Sequence, residues 1–143
     1  MKTHVVKAGD IEQKWLLVDA ENQILGRLAT YVADLLRGKG KAAFSHHLDV
    51  GDHVVITNAA KIKVTGRKLD QKKYYRHSGY QSGLKWITLR ELLEKRPEEV
   101  IMKAVKGMVP HTKLGRVQIT KLHVYAGPEH RNQAQSPEPC PIP

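Results

Sequence analysis

Three short runs of aliphatic and β-branched residues stand out along the chain: WLLVDA at 15–20, HVVITNA at 53–59 and KLHVYAG at 121–127. The first two are nearly continuous apolar runs, a pattern typical of strands that are covered on both faces. Such strands occur in parallel sheets with helices on either side. The three runs therefore predict an α/β fold with a mostly parallel central sheet.

The segment between the first two runs predicts an amphipathic helix. Its apolar residues recur at three- and four-residue spacing, at Leu25, Leu28, Val32, Leu35 and Leu36. Gly38 follows and provides a left-handed stop. Strand, helix and strand in this order form a βαβ unit, whose crossover should be right-handed.

Two more helices are predicted after residue 87. Thr88 and Glu91 match a capping box, and Pro97 can both end this helix and open the next one. The second helix has a predicted apolar stripe at Ile101, Ala104, Val105 and Met108.

The short sequence KLGR that follows is interpreted as a loop. It would bring Lys113 and Arg116 to the surface before the last strand, beside Lys103 and Lys106 of the preceding helix. These four residues predict a second contact surface, smaller than that of the basic residues 61–86.

The domain organisation is predicted to be simple. Residues 1–127 form one α/β domain with a basic insertion, and residues 128–143 form a proline-rich tail that is extended or disordered. No run of about 18 apolar residues is present, and the N-terminal residues lack the apolar core of a secretory signal. With Cys140 as the single cysteine, these features favour a cytoplasmic protein without a membrane segment.

The net charge of +10 is unevenly distributed. Residues 1–60 hold equal numbers of acidic and basic groups, whereas residues 61–86 hold eight basic groups and one aspartate. Residues 101–127 hold five basic groups and no acid. Such segregation produces a local positive field, whose usual partner is a polyphosphate. The pattern therefore predicts a nucleic-acid-binding protein.

Aromatic residues are interleaved with the cations of the basic segment 61–86. Flat side chains can stack on unpaired bases, as single-stranded and folded RNA sites require. Some of them should instead attach the segment to the sheet. We predict that Tyr74 and Tyr80 contact RNA, and that Tyr75 and Trp86 pack. Much of residues 66–85 is expected to become ordered only on binding.

The signals for catalysis and metal binding are weak. Asp19 follows the first strand and Gly26 opens the first helix, where open α/β sheets place ligands. The dinucleotide and Walker fingerprints are absent, so a turn aspartate and a turn glycine are the simpler interpretation. The eight histidines include no pair at the spacing of a helical zinc site. We predict no catalytic residues, no metal and no cofactor.

One stretch of the sequence identifies a family. Residues 105–127, VKGMVPHTKLGRVQITKLHVYAG, combine Gly-Met-aliphatic-Pro at 107–110, Gly-Arg at 115–116 and Tyr-Ala-Gly at 125–127. This combination resembles the signature of the large-subunit ribosomal protein thirteen family, in its bacterial form. The resemblance extends over nearly the whole chain, from residue 15 to about residue 130.

The resemblance implies a three-layer α/β/α fold and a structural constituent of the large (50S) ribosomal subunit that is not an enzyme. It implies that the protein binds and clamps ribosomal RNA early in subunit assembly. Its partners would be large-subunit ribosomal RNA, neighbouring large-subunit proteins and, as a further partner, messenger RNA. Two alternatives stay open: a free RNA-binding repressor of translation, and an α/β enzyme that acts on a nucleotide or RNA.

The candidate RNA-binding residues are basic, aromatic or polar side chains of the basic segments. They are Lys39, Lys41, Lys63, Arg67, Lys68, Lys72, Lys73, Tyr74, Arg76, His77, Ser78, Tyr80, Lys85, Lys103, Lys106, Lys113 and Arg116.

Overall fold

The computed structural model describes residues 5–142, so residues 1–4 and 143 of the predicted domain and tail lie outside the described part. The helices and strands of the described residues, in chain order, are β1 (Trp15–Asp19), α1 (Leu25–Arg37), β2 (His53–Thr57), α2 (Lys68–Gln71), β3 (Lys73–His77), β4 (Leu84–Thr88), α3 (Leu89–Lys95), α4 (Pro97–Met108), α5 (Lys113–Thr120), β5 (Leu122–Val124) and β6 (Glu138–Pro139). None of these helices is long and apolar enough to cross a membrane.

The central sheet is parallel and has the strand order β5-β2-β1-β6. The strands β1 and β2 pair residue for residue, from Trp15 opposite His53 to Asp19 opposite Thr57. The three predicted strands are confirmed, and the fold agrees with the predicted three-layer α/β class. The fourth strand, β6, comes from the tail and was not predicted. Its Pro139 is tolerated because β6 lies at the edge of the sheet.

The helix α1 confirms the predicted βαβ unit. Leu25, Leu28, Val32 and Leu36 are buried on one face, and Gly38 ends the helix with a φ of 74°. The chain then returns very close to the end of this helix. A Cβ atom at Gly51 would overlap the backbone carbonyl of Leu36, so only glycine fits at this position.

The helices α3 and α4 begin as predicted. The Thr88 hydroxyl accepts a hydrogen bond from the Glu91 backbone N–H at 3.3 Å, and Pro97 occupies the first turn of α4. The predicted apolar stripe of α4 was partly wrong. Met108 is 42 % exposed, and Val100, about two turns earlier in the helix, is buried instead.

The predicted KLGR loop was wrong, because these residues begin the helix α5. The Thr112 hydroxyl caps this helix by accepting a hydrogen bond from the Gly115 backbone N–H at 3.2 Å. Gly115 suggested a loop, but the glycine is needed for close packing. A Cβ atom there would overlap the carbonyl of Pro110.

Two lysines form ion pairs with aspartates that lie just before the start of β2. Lys121 is 5 % exposed, and its ammonium contacts Asp49 Oδ1 at 2.6 Å and the Gly51 carbonyl at 2.8 Å. Lys41 contacts Asp52 Oδ1 at 2.6 Å. It also donates to the carbonyls of Glu12 and Val50. Lys41, which was predicted to bind RNA, thus has three protein acceptors for its ammonium in the free chain.

Three aromatic rings stack near the N-terminal ends of β1, β2 and β5. The Trp15 ring lies 4.3 Å from the His53 ring and 5.4 Å from the His123 ring, measured between centroids. The Nδ1 atom of His53 is buried and has no hydrogen-bond partner among the described residues. Burial lowers the pKa of His53 below its usual value of 6.5. Lys121 and His123 lower this pKa further, and Asp49 and Asp52 oppose them.

We expect the stability of the protein to fall as the pH drops below about 6.5. The unfolded chain binds a proton on His53 more tightly than the folded chain does, so protonation favours unfolding. The stabilisation is fully present above pH 6.5 and is lost as the pH falls through the lower pKa of the folded state. Urea unfolding between pH 7.5 and 5 measures this loss. His53→Phe keeps a ring against Trp15, and its stability should change less over the same range. An equal loss in both proteins would contradict the assignment to His53.

The tail returns to the sheet and contacts α1. The Cys140 backbone N–H donates to the Leu17 carbonyl at 2.8 Å, and the Tyr31 hydroxyl lies 3.0 Å from Cys140 Sγ. Before this strand, Gln133–Gln135 form a 3₁₀ turn. The end of the tail is thus extended along β1 rather than separate from the domain.

Candidate nucleic-acid interface

The basic segment folds into the short helix α2 and an antiparallel hairpin of β3 and β4. The aromatic and β-branched residues of KYYRH and LKWIT favour strands here, and the turn between them is closed by backbone hydrogen bonds. The Ser78 N–H donates to the Gly83 carbonyl at 3.1 Å, and Gly79 adopts a φ of 89°. The hairpin was not predicted, because the sequence analysis treated this segment as an insertion without regular structure.

The two faces of the hairpin have different roles. Tyr74 lies opposite Ile87, and both pack against the hydrophobic core. Tyr75 lies opposite Trp86, and because side chains alternate along a strand, this pair faces away from the core. Tyr75 is 64 % exposed and Trp86 is 53 % exposed.

The predicted roles of these aromatic residues were therefore reversed. Tyr75 and Trp86 were predicted to pack but are exposed, whereas Tyr74 was predicted to contact RNA but packs on the core. Tyr80, 80 % exposed at the turn, has the predicted exposure. A shift of one residue in strand register exchanges the two faces, and aromatic residues are present on both. The sequence alone did not determine the register.

Tyr74 links the hairpin to α4. The ammonium groups of Lys72 and Lys103 lie 5.4 and 5.1 Å from the centre of its ring, within cation–π range. Burial raises the pKa of the Tyr74 hydroxyl, which has no hydrogen-bond partner within residues 5–142. The contact places Lys103 beside the hairpin.

A cationic groove of about 370 Å³ runs between the hairpin and the helices α3 and α4. We call it the hairpin groove, and its basic lining residues are Arg76, Lys85, Lys95, Arg96 and Lys103. Its one acid, Glu99, contacts Arg96 at 2.8 Å and Lys103 at 3.3 Å. These contacts lower the pKa of Glu99, and the Glu99 contact raises that of Arg96.

Lys95 and Arg96 were missed by the sequence analysis. They lie between Glu94 and Glu98, in a stretch whose net charge is slightly negative, so averaging the charge concealed them. The signal that could have found them is their position just before Pro97, at the junction of α3 and α4.

A second groove, of about 620 Å³, lies between the start of α1, α2 and α4. Lys68, Lys72 and Lys103 line it around an apolar floor that includes Leu25 and Leu89. Lys103 lines both grooves, so the cations of the basic segment and of α4 form one continuous surface. Lys103 was predicted to belong to a separate contact and instead lies with the hairpin.

A third groove, of about 300 Å³, lies between α4 and α5, and we call it the α4–α5 groove. Lys106, His111 and Arg116 line it. The structure thus brings two of the four residues of the predicted second contact together. Lys113 is exposed at the first position of α5 but does not line this groove.

The remaining candidates lie outside these grooves. Lys63 and Arg67 are exposed, and Lys39 pairs with Asp34 at 3.1 Å on the surface. His77 and Ser78 are exposed at the hairpin turn. The Nδ1 atom of His77 accepts a hydrogen bond from the Gly79 backbone N–H at 2.9 Å, which assigns this ring to the turn.

Asp19 has the turn role that the sequence analysis preferred to a ligand-binding one. Asp19 Oδ1 accepts hydrogen bonds from Asn58 Nδ2 at 2.8 Å and from the Glu21 backbone N–H at 3.0 Å. It therefore closes the turn after β1. Residues 5–142 contain no group of three or more histidine, cysteine, aspartate or glutamate side chains arranged to hold a metal ion.

We expect the hairpin to exchange its backbone hydrogens faster than the sheet when the protein is free of RNA. Two-stranded hairpins are marginally stable, and only one face of this one packs on the core. Hydrogen exchange followed by mass spectrometry should show strong protection in β1, β2 and β5 and weak protection across residues 66–85. Equal protection in both regions would show that the segment is a rigid part of the domain.

A basic α/β fold with a continuous cationic surface is typical of the class of proteins that bind polyanions. Asp19, the aspartate weighed as a ligand-binding residue, closes a turn. The pattern of the family described as Ribosomal protein L13 matches residues 13–131. Relatives named large ribosomal subunit protein uL13 include that of Lachnospira eligens, 58 % identical over 96 % of this chain and 97 % of its own. That of Lawsonia intracellularis is 56 % identical over 100 % of this chain and 99 % of its own.

The chain belongs to the ribosomal protein L13 family. The predicted resemblance is thereby confirmed, as is the prediction that the protein is a structural component of the ribosome and not an enzyme.

Proposed function

We propose that the protein is a structural constituent of the large subunit of the cytoplasmic ribosome and that it binds ribosomal RNA there. The names of its relatives support the large subunit. The observation that carries RNA binding is the hairpin groove, which is lined by five cations from β3, β4, α3, α4 and the α3–α4 junction and by a single acid. Cations at such density neutralise successive phosphates and release counterions, which is the main source of affinity for RNA.

We also propose that the protein clamps two RNA segments together. Lys103 lines the hairpin groove, and Lys106, one turn further along α4, lines the α4–α5 groove. A helix that contributes to two adjacent cationic grooves can hold one RNA segment in each. We propose that residues 1–127 form the clamping domain and that residues 128–143 form a tail. Neighbouring ribosomal proteins complete its surroundings.

An early role in assembly follows from the same features. The hydrophobic core is built from residues of this chain alone, so we expect the cationic surface to be available before other proteins join. A protein of this kind can order RNA segments at the start of assembly. No observation on the structure or the relatives favours messenger RNA as a target, and we do not propose it.

Sedimentation tests this function. In a high-salt sucrose gradient, the protein should migrate with large subunits and with precursor particles that lack most other proteins. Recovery only in the soluble fraction would overturn the proposed function. Absence from early precursors, with presence in mature subunits, would overturn only the early role.

A further inference from the structure

The outer face of the hairpin carries an exposed aromatic pair. Tyr75 and Trp86 are directly opposite each other in the register, and the Lys73 ammonium lies 4.1 Å from the centre of the Trp86 ring. Leu84 and Tyr80 extend the patch towards the turn and are 57 % and 80 % exposed. Four of the eight exposed large hydrophobic side chains within residues 5–142 therefore lie in this one hairpin.

Packing within the chain does not account for this patch. The inner face of the hairpin already contacts the core through Tyr74 and Ile87, so the outer pair has no intramolecular partner to bury it. Concentrated exposed apolar area of this kind marks a binding surface.

Charge distinguishes the two kinds of occupant that such a patch could have. Acids are few near the hairpin: Asp70 is paired with Arg90 at 2.8 Å, Glu99 is paired with Arg96 and Lys103, and no acidic residue occurs from position 71 to position 90. Lys73 lies on the same face as the aromatic pair, and Arg76 and Lys85 are on the same two strands but on the opposite face. An apolar protein surface would remove these cations from water without compensation. A nucleotide offers a flat base to the rings and a phosphate to the cations.

The base must be unpaired. In a duplex, both faces of a base are covered by its neighbours, so an aromatic side chain reaches a base face only in a loop, a bulge or a single strand. In the free protein, the Lys73 ammonium lies over the face of the Trp86 ring in a cation–π contact. A base that takes its place leaves the ammonium beside the phosphate of the same nucleotide.

We propose that the Tyr75–Trp86 pair stacks on unpaired bases of RNA, while Lys73 contacts the adjoining phosphate. This inference rests on the proposed function, and it adds the structural class of RNA that the hairpin recognises. It assigns base stacking to Tyr75 and Trp86, which the sequence analysis had predicted to pack within the protein instead.

Two stem-loop RNAs with the same number of phosphates test the proposal. One has a loop of unpaired nucleotides, and in the other the same loop positions are abasic. The whole protein should bind the first more tightly, by about five- to 150-fold for each stacked base. Trp86→Leu should remove most of this preference and leave binding of the abasic loop nearly unchanged, and Trp86→Phe should retain part of it.

Fluorescence gives a second measurement. The loop with bases should quench the emission of Trp86, and the abasic loop should not. Trp15 stacks on His53 at the edge of the sheet, so it contributes a constant signal. The emission of Trp86→Leu should therefore not respond to either RNA. Because Trp86 is exposed, this variant should unfold at the same temperature as the parent protein, which thermal unfolding checks.

The outcomes separate this inference from the proposed function. Equal binding of both loops by the parent protein and by Trp86→Leu would overturn the stacking proposal and leave RNA binding intact. Normal RNA binding by Trp86→Leu, with loss of its incorporation into large subunits, would show instead that the patch contacts a protein. Failure of the parent protein to bind either loop at low salt would overturn both proposals.

Discussion

Lys121→Met should lower the free energy of unfolding by about 3 kcal/mol, the lower end of the range for breaking a buried ion pair. The methionine keeps the apolar stem of the lysine but removes the ammonium, which contacts Asp49 Oδ1 and the Gly51 carbonyl. Asp49 then retains its charge without its cation in a site that is 21 % exposed, which is why we expect the lower end. Since domains of this size are stable by about 5–15 kcal/mol, the loss would be a large fraction. Urea unfolding at neutral pH measures it.

Lys61→Met is the matched control. Lys61 makes an ion pair of similar length with Glu21, at 2.8 Å, but its side chain is 59 % exposed. Exposed pairs are screened by water and contribute little, so this variant should unfold at nearly the parent urea concentration. Adding Asp49→Asn to Lys121→Met should recover part of the loss, because it removes the unpaired charge. Equal effects of the two methionine variants would contradict the structural role of Lys121.

Replacing Arg76, Lys85 and Lys95 together with glutamine should make RNA binding much less dependent on salt. Each cation that neutralises a phosphate contributes about 0.7 to the slope of log affinity against log salt for a single strand and about 0.9 for a duplex. The triple variant should therefore have a slope that is shallower by about two to three units. Titration of labelled RNA between about 50 and 200 mM salt measures this slope.

The control removes three positive charges elsewhere on the chain, with Lys7, Lys14 and Arg131 replaced by glutamine. Both triple variants have the same net charge, so a difference between them reports position and not total charge. We expect the control to keep nearly the parent slope. Equal slopes for the two triple variants would show that the hairpin groove is not the RNA contact.

The parts of the fold that could be predicted from the sequence are those in which one strong local pattern determines the structure. The apolar runs of β1 and β2 and the stripe of α1 are of this kind, and Gly38 and Thr88 mark helix ends as expected. The strand β6 could not be predicted, because two residues, one of them proline, carry no strand pattern. Its pairing with β1 depends on the position of the tail in the folded chain.

The candidate site was predicted as a region but not residue by residue. Charge segregation identified the basic segment, since a cluster of cations is visible without a structure. The face that each aromatic residue occupies depends on the hairpin register, and the use of Lys41 depends on acceptors up to 29 residues away in the chain. Both are tertiary properties, so the packing of Tyr75 and Trp86 was predicted wrongly and the ion pair of Lys41 was not foreseen.

The most direct test of the account compares the chemical reactivity of lysines in the free protein and in assembled large subunits. Acetylation read by mass spectrometry should show strong protection in the subunit for the lysines around the hairpin: Lys68, Lys72, Lys73, Lys85 and Lys103. Lys7 and Lys14, which precede β1, should react more nearly as they do in the free protein. Hairpin lysines that react equally in the subunit and in the free protein would contradict the claim that this surface holds ribosomal RNA.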